Sequence, residues 1–268
     1  MKYSYSRLEC FKNCPRAFRY QYIDKIEVEA FESIESFVGH RVHEALEALY
    51  RHRQRGRVLD AGELLLHYQN LWERSFHQDV VVNDENLTID DYRNYGRKYL
   101  LDYHARHKPF NHATTLETEL RIDVDLLGDG EVRLIGFIDR LDVRDDGCYE
   151  LHDYKTGRKL PTAESRRKDK QLPLYELGVR QKYSNVKDVD LVWHYLHFNK
   201  ELRSKRTDGE LAALKTDLLA TIRKIERAIV DDRFPKKQTG LCNWCEYQQT
   251  CRQDHGSKMR QETLEKYS

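Results

Sequence analysis

Two hydrophobic periods divide the chain. Val38, Val42, Ala45, Leu46 and Leu49 recur at three to four residues, the stripe of a helix with one buried face. Segments around 60–77 and 91–106 repeat that spacing, and the polar run VVNDENLT between them supplies turn and N-cap residues. The period then falls to two. Leu116, Thr118, Leu120, Ile122, Val124 and Leu126 alternate with Glu117, Glu119, Arg121, Asp123 and Asp125, as in a half-buried strand. GDG at 128–130 turns that strand into VRLIGFIDRLDV, and DDG at 145–147 turns the next into CYELHDYK. The pattern predicts a three-stranded antiparallel meander, followed by a helix over about 164–183, a strand VDLVWHYLHF and a helix over about 208–231. This is an α/β chain. With no internal repeat, low-complexity tract or linker, it reads as one domain over 1–268: a helical N-terminal part (1–112), an α/β core (113–235) and a cysteine-bearing tail (236–268).

Charge changes this picture only when resolved along the chain. The 46 Lys+Arg and 45 Asp+Glu leave a net charge of +1, which discourages a general polyanion binder. Yet residues 117–153 hold twelve acids and four bases, 155–170 seven bases and two acids, and 200–206 four bases and one acid. An acidic segment beside basic ones is what a site needs to hold divalent cations and a phosphate backbone, although a solvated surface of mixed charge reads the same way. There is no apolar run of membrane-spanning length or signal-peptide type, so a soluble cytoplasmic protein with no membrane partner is expected. In that setting the six cysteines favour metal or redox use over a disulfide scaffold.

The most informative side chains lie on the second and third predicted strands. Asp139 sits in GFIDRLD; Asp153 and Lys155 sit in DYK, two residues apart and hence on one face of a strand. The short connection between the strands can bring both carboxylates to one sheet edge. Hard oxygen ligands suit Mg²⁺ or Mn²⁺, and a neighbouring ammonium can orient water or stabilise charge on phosphorus. Phosphodiester hydrolysis is the chemistry this suggests. As isolated fragments, Asp-x-Lys and Asp-Arg are also common surface pairs.

Four ordered motifs carry a resemblance: GHRVH (39–43), GFIDRLD (136–142), DYK (153–155) and QLPLY (171–175). Together they resemble the PD-(D/E)XK nuclease superfamily, in particular its RecB-like branch, which includes AddB and the CRISPR-associated Cas-four nucleases. The resemblance implies a restriction-endonuclease-like core, a mixed central sheet flanked by helices. It implies His43, Asp139, Asp153 and the backbone carbonyl of Tyr154 as metal ligands, with Lys155 positioning the attacking water. Gln171 and Tyr175, four apart on one helical face, would support the site or contact DNA. His40 shares the helix of His43, and only the spacing from Gly39 separates them. A Glu from the preceding strand also recurs in the family; Glu117 fits best, and Glu119 on the same face stays open.

Cys242, Cys245 and Cys251 form C-x₂-C-x₅-C, which lacks one ligand for a metal or cluster. Cys14, Cys10 or His255 could supply it. The resemblance implies Cys14 with the three C-terminal cysteines around a [4Fe-4S] cluster of structural role; spacing alone leaves structural Zn²⁺ open. Cys148 reads as strand packing.

The resulting expectation is a Mg²⁺- or Mn²⁺-dependent deoxyribonuclease, an exonuclease on single-stranded DNA or DNA ends in repair, recombination or CRISPR adaptation. A helicase, recombination or CRISPR protein partner is compatible with it. The alternatives are a catalytically inactive DNA-binding or assembly subunit of a nuclease–helicase complex, and an endonuclease. No G-x-x-x-x-G-K-[ST] loop is present, which argues against helicase activity in this chain. Tyr20, Tyr22, Trp193, Tyr195 and Trp244 are candidates for stacking on bases, with core packing the competing use for most. Residues 56–112 match no motif.

Overall fold

The computed structural model describes residues 2–28 and 31–253. In chain order its elements are β1 (Tyr3–Ser4), α1 (Tyr5–Asn13), α2 (Pro15–Phe18), a π-helical turn (Arg19–Ile23), β2 (Glu32–Ser33), α3 (Ile34–Gln54), α4 (Ala61–Ser75), β3 (Val80–Val81) and α5 (Ile89–His107). There follow β4 (Thr114–Asp125), β5 (Arg133–Val143), β6 (Cys148–Lys155), α6 (Ala163–Arg167), α7 (Gln171–Lys182), β7 (Asp188–Tyr195), β8 (Lys200–Ser204), α8 (Asp208–Val230) and α9 (Gln248–Gln253). They form two compact units, one of residues up to 5 with 30–220, the other of 6–29 with 221 onward.

The first unit is built on a six-stranded mixed sheet. Its path is β1-β5-β6-β7-β8, with β4 on the other edge of β5. The predicted meander is present: β4 pairs antiparallel with β5, and β5 with β6. Strands β6 and β7 then run parallel from Cys148↔Asp188 to Lys155↔Tyr195.

The apolar stripe of α3 is buried as its spacing predicts, with Val42, Ala45 and Leu46 fully enclosed. They form one core with Leu64, Tyr68 and Trp72 of α4 and Tyr92, Tyr99, Leu100 and Tyr103 of α5. Asp60 and Thr88 cap α4 and α5 in reciprocal capping boxes, satisfying first-turn N–H groups at both starts. Tight approaches fix the helices: a Cβ on Gly178 of α7 would lie 2.4 Å from Ile122 Cγ1 of β4, and one on Gly136 of β5 would lie 2.0 Å from the Tyr175 ring.

Three local readings change. The strand alternation predicted from Leu116 is interrupted by a bulge between Thr115 and Glu117, and Glu119 takes a left-handed φ of +48°. The helix expected over 164–183 is two helices, because Asp169 accepts from the N–H groups of Gln171 and Leu172 and starts α7 anew. KELRS, read only as a basic stretch, is the edge strand β8.

In the second unit, Phe18 packs with Phe11, Tyr22 and Phe234. Arg19 bonds Asp24 and Asp232, tying the early segment to the chain after α8. Among the described residues no helix is long and apolar enough to cross a membrane.

Candidate active site

The site begins where two strands stop pairing. β5 and β6 are in register from Val143↔Tyr149 to Arg140↔His152, and beyond that pair they diverge. The N–H of Tyr154, which continued pairing would have given to a backbone carbonyl, instead donates to Asp139 Oδ2 at 2.7 Å. Asp139 therefore stands in the gap between the strands. From α3, His43 reaches it: Nδ1 lies 3.5 Å from Asp139 Oδ2, and Nε2 lies 2.8 Å from the Tyr154 carbonyl oxygen, to which it donates. Gly39, one turn earlier on α3, has no Cβ to press on Thr156 Oγ1, which would be 3.2 Å away.

On β6, Lys155 Nζ lies 2.9 and 2.8 Å from the two Asp153 carboxylate oxygens. It also donates to Gln171 Oε1 at 3.5 Å, and Gln171 donates in turn to the Tyr175 hydroxyl at 3.3 Å. Asp139, Asp153, Lys155, Gln171 and Tyr175 thus form one connected constellation with His43 and the Tyr154 carbonyl. Glu119 joins it: ligand atoms of His43, Glu119 and Asp139 lie within 4.8 Å of one another. Glu117, the better fit by position in the sequence, lies instead by Tyr183. Glu119, with its left-handed backbone, falls between the pairs Thr118↔Arg140 and Leu120↔Ile138 and so stands across from Asp139, whereas Glu117 is paired with Leu141. His40 bonds Glu32 and takes no part.

Crowded acids in a half-buried cleft hold protons. Burial, followed by the charge of Asp153, pushes Asp139 up to about 8. Burial and Asp139 push Glu119 up to about 7. Burial lowers His43, favouring the neutral ring that can ligate a metal. For Lys155 burial acts downward, but Asp153 and Asp139 outweigh it and hold the ammonium above its ordinary range. Asp153 Oδ2 is buried without a well-directed hydrogen bond although Lys155 Nζ is 2.8 Å away. That acceptor, beside two proton-holding carboxylates and a neutral imidazole, fits a hard divalent ion.

Other candidates lie elsewhere. Trp193, Tyr195 and Tyr20 are buried, Tyr22 is partly buried, and Trp244 is 76% exposed. Two of the four bases at 200–206 are already in ion pairs: Arg203 with Glu150 and Glu201, and Lys205 with Asp188. Cys148 is buried in β6, as packing requires.

The remaining cysteines share the second unit. Cys14, Cys251 and Cys242 all raise the Cys245 thiol electrostatically, after burial as the main cause. Cys10 is pushed up to about 11 by burial, then by Cys14 and Cys245, and its thiol faces Gln21 Oε1. Among the described residues no three cysteine sulfurs come within 4.8 Å of one another. His255 lies outside the described residues.

A mixed sheet flanked by helices, with neighbouring strands parting around an acid, has the architecture of a restriction-endonuclease-like fold. The sequence agrees over residues 2–252, which match the profile of the PD-(D/E)XK nuclease superfamily; the chain belongs to that superfamily. A solved structure described as "Putative exonuclease" from Eubacterium rectale superposes with a TM-score of 0.55 at 12% identity, covering 99% of this chain and 92% of that one. At that identity the likeness is one of fold. Another solved structure, SSO0001, gives a TM-score of 0.33 at 15% identity over 92% of each chain, too low to carry an argument. Comparison with curated proteins gave no match.

Proposed function

We propose that this nuclease-superfamily member is a cytoplasmic, Mg²⁺- or Mn²⁺-dependent deoxyribonuclease of the RecB-like branch, an exonuclease acting on single strands or DNA ends in repair or recombination. The observation that carries this reading is the contact of Lys155 with Asp153 beside the gap in which Asp139 stands. His43, Asp139, Asp153 and the Tyr154 carbonyl would hold the ion, with Glu119 completing its oxygen-rich surroundings. A bound divalent ion supplies Lewis-acid polarisation of the phosphate. Lys155, held charged by the two aspartates, orients the attacking water and stabilises charge developing on the phosphate oxygens. Gln171 fixes the Lys155 amine from the side, and Tyr175 fixes Gln171. The name of the Eubacterium rectale protein is consistent with exonuclease action.

We also assign Cys14, Cys242, Cys245 and Cys251 to a structural [4Fe-4S] cluster. Their mutual electrostatic influence around Cys245 supports a shared ligand. Structural Zn²⁺ on the same four thiolates is the alternative.

Linear and circular DNA, single- and double-stranded, separate the modes of cleavage. An exonuclease degrades end-labelled linear substrates with Mg²⁺ or Mn²⁺ and leaves covalently closed circles intact. Cutting of closed circles would make it an endonuclease, and inertness towards every substrate would point to an assembly subunit.

A further inference from the structure

Behind the candidate active site, the strands carry a second polar cluster that hydrolysis does not use. His107 ends α5, His194 lies on β7 in register with Tyr154, and Glu201 lies on β8. Their ligand atoms fall within 4.8 Å of one another. Glu201 Oε2 is 3.7 Å from His194 Nδ1 and 3.9 Å from His107 Nε2.

The hydrogen-bond network fixes which nitrogen of His194 carries the lone pair. Arg140 can only donate, so His152 Nδ1, 2.9 Å from its guanidinium, is an acceptor. His194 Nε2, 2.9 Å from the same His152 nitrogen, must then be the donor. The neutral His194 ring therefore presents the Nδ1 lone pair towards the Glu201 carboxylate. Glu201 Oε1 is held at 2.6 Å by Arg203 Nε, which aims Oε2 at the two imidazoles. His107 Nε2 is buried with no hydrogen bond. With His107 as its Nδ1–H tautomer, the lone pairs of His107 Nε2 and His194 Nδ1 both face Glu201 Oε2, and a cation among the three atoms turns that repulsion into attraction.

We propose that His107 Nε2, His194 Nδ1 and Glu201 Oε2 form a second metal site, for a borderline-soft divalent transition ion such as Zn²⁺, distinct from the hard-ion site at His43 and Asp139. Two imidazoles and one carboxylate are a common zinc donor set. Two of the ligands already have the supporting partners such sites use: His152 behind His194, and Arg203 behind Glu201. Burial first, then Arg140, lowers His107 to about 4, and burial lowers His194 strongly, so both rings are neutral at neutral pH. His107 and Glu201 also border a cavity of about 220 Å³, which leaves room for a water or small anion as fourth ligand. The ion would clamp α5, β7 and β8 together and brace the strand neighbouring Asp153–Lys155.

The test is zinc binding by the full chain after chelator treatment. Wild-type protein is loaded with Zn²⁺, desalted and analysed for metal, beside His107→Gln, Glu201→Gln and Cys245→Ser. Each of the first two variants is expected to retain one equivalent fewer than wild type, and Cys245→Ser to retain this equivalent. Long-range ¹H–¹⁵N spectra of the wild-type imidazoles give a readout that needs no substitution. Zinc should shift His194 at Nδ1 and His107 at Nε2. Unchanged stoichiometry in folded variants, or those two nitrogens unmoved by Zn²⁺, would overturn the site.

Discussion

At Asp139, Glu119 and Asp153, three carboxylates crowd together beside Lys155, and without a bound ion their repulsion is relieved by that ammonium and by held protons. Asp139 and Glu119 are raised to about 8 and about 7, far above an unfolded carboxylate. Between the ordinary carboxylate range and those values, the folded metal-free chain binds more protons than the unfolded chain, so its stability falls as pH rises through that window. In chelator, the melting temperature should therefore drop between about pH 5 and about pH 8.5, and Asp139→Asn should flatten the decline. A divalent ion displaces those protons, so Mn²⁺ should stabilise wild type more at the alkaline end; equal stabilisation at both ends would contradict the assignment. The choice between the two glutamates is equally open to test. Glu119→Gln should lower DNA cleavage by roughly 10- to 100-fold, as loss of a residue supporting a metal site does, whereas Glu117→Gln should leave it nearly unchanged. Comparison of the two cleavage rates settles which residue belongs to the site.

Between elements, the site depends on α7 lying close against β5. A Cβ at Gly136 would overlap the Tyr175 ring, so Gly136→Ala must push Tyr175, and with it Gln171, away from Lys155. Urea unfolding should show a loss of about 1–3 kcal/mol, accompanied by reduced cleavage; an unaltered midpoint would mean the helix adjusts freely. Most elements were legible because one face of each meets a core. The α3 stripe and the meander follow directly from periodicity; the strand expected over VDLVWHYLHF is present over Asp188–Tyr195, buried almost throughout, and its last three residues form a 3-10 turn instead. What escaped reading depends on geometry rather than composition. The pairing of β4 with β5 sets the left-handed Glu119 across from Asp139 and Glu117 across from Leu141, and alternation, which puts both glutamates on one face, does not see which partner each meets. β8 is an edge strand with a single aliphatic residue, Leu202, so it shows no apolar alternation. The four site motifs were legible as spacings, but the parting of β5 from β6, which frees the Tyr154 N–H for Asp139, is a property of strand pairing. His107, His194 and Glu201 come together from three elements, and no spacing announces them.

For the whole molecule, local charge matters more than the sum. The near-neutral chain separates an acidic strand region from bases, many of which are already occupied by ion pairs, so the DNA binding that the proposed function requires would fall to the remaining bases and to the bound ion. The second unit should behave as a cofactor-dependent part of the chain. Protein purified anaerobically should contain iron and absorb near about 400 nm, and Cys245→Ser should lose both together with thermal stability. Zinc without that absorption would replace the cluster by a zinc site and leave the nuclease site unaffected. The central claim, that Asp139, Asp153 and Lys155 hydrolyse DNA with a divalent ion, is tested most directly by one rate. Full-length protein and Lys155→Ala are incubated with end-labelled single-stranded DNA in Mn²⁺ under single-turnover conditions. Wild type should cleave and lose all cleavage in chelator, while folded Lys155→Ala should be slower by about 100- to 1,000-fold, the scale of removing one transition-state donor. Cleavage by Lys155→Ala at the wild-type rate would contradict the account.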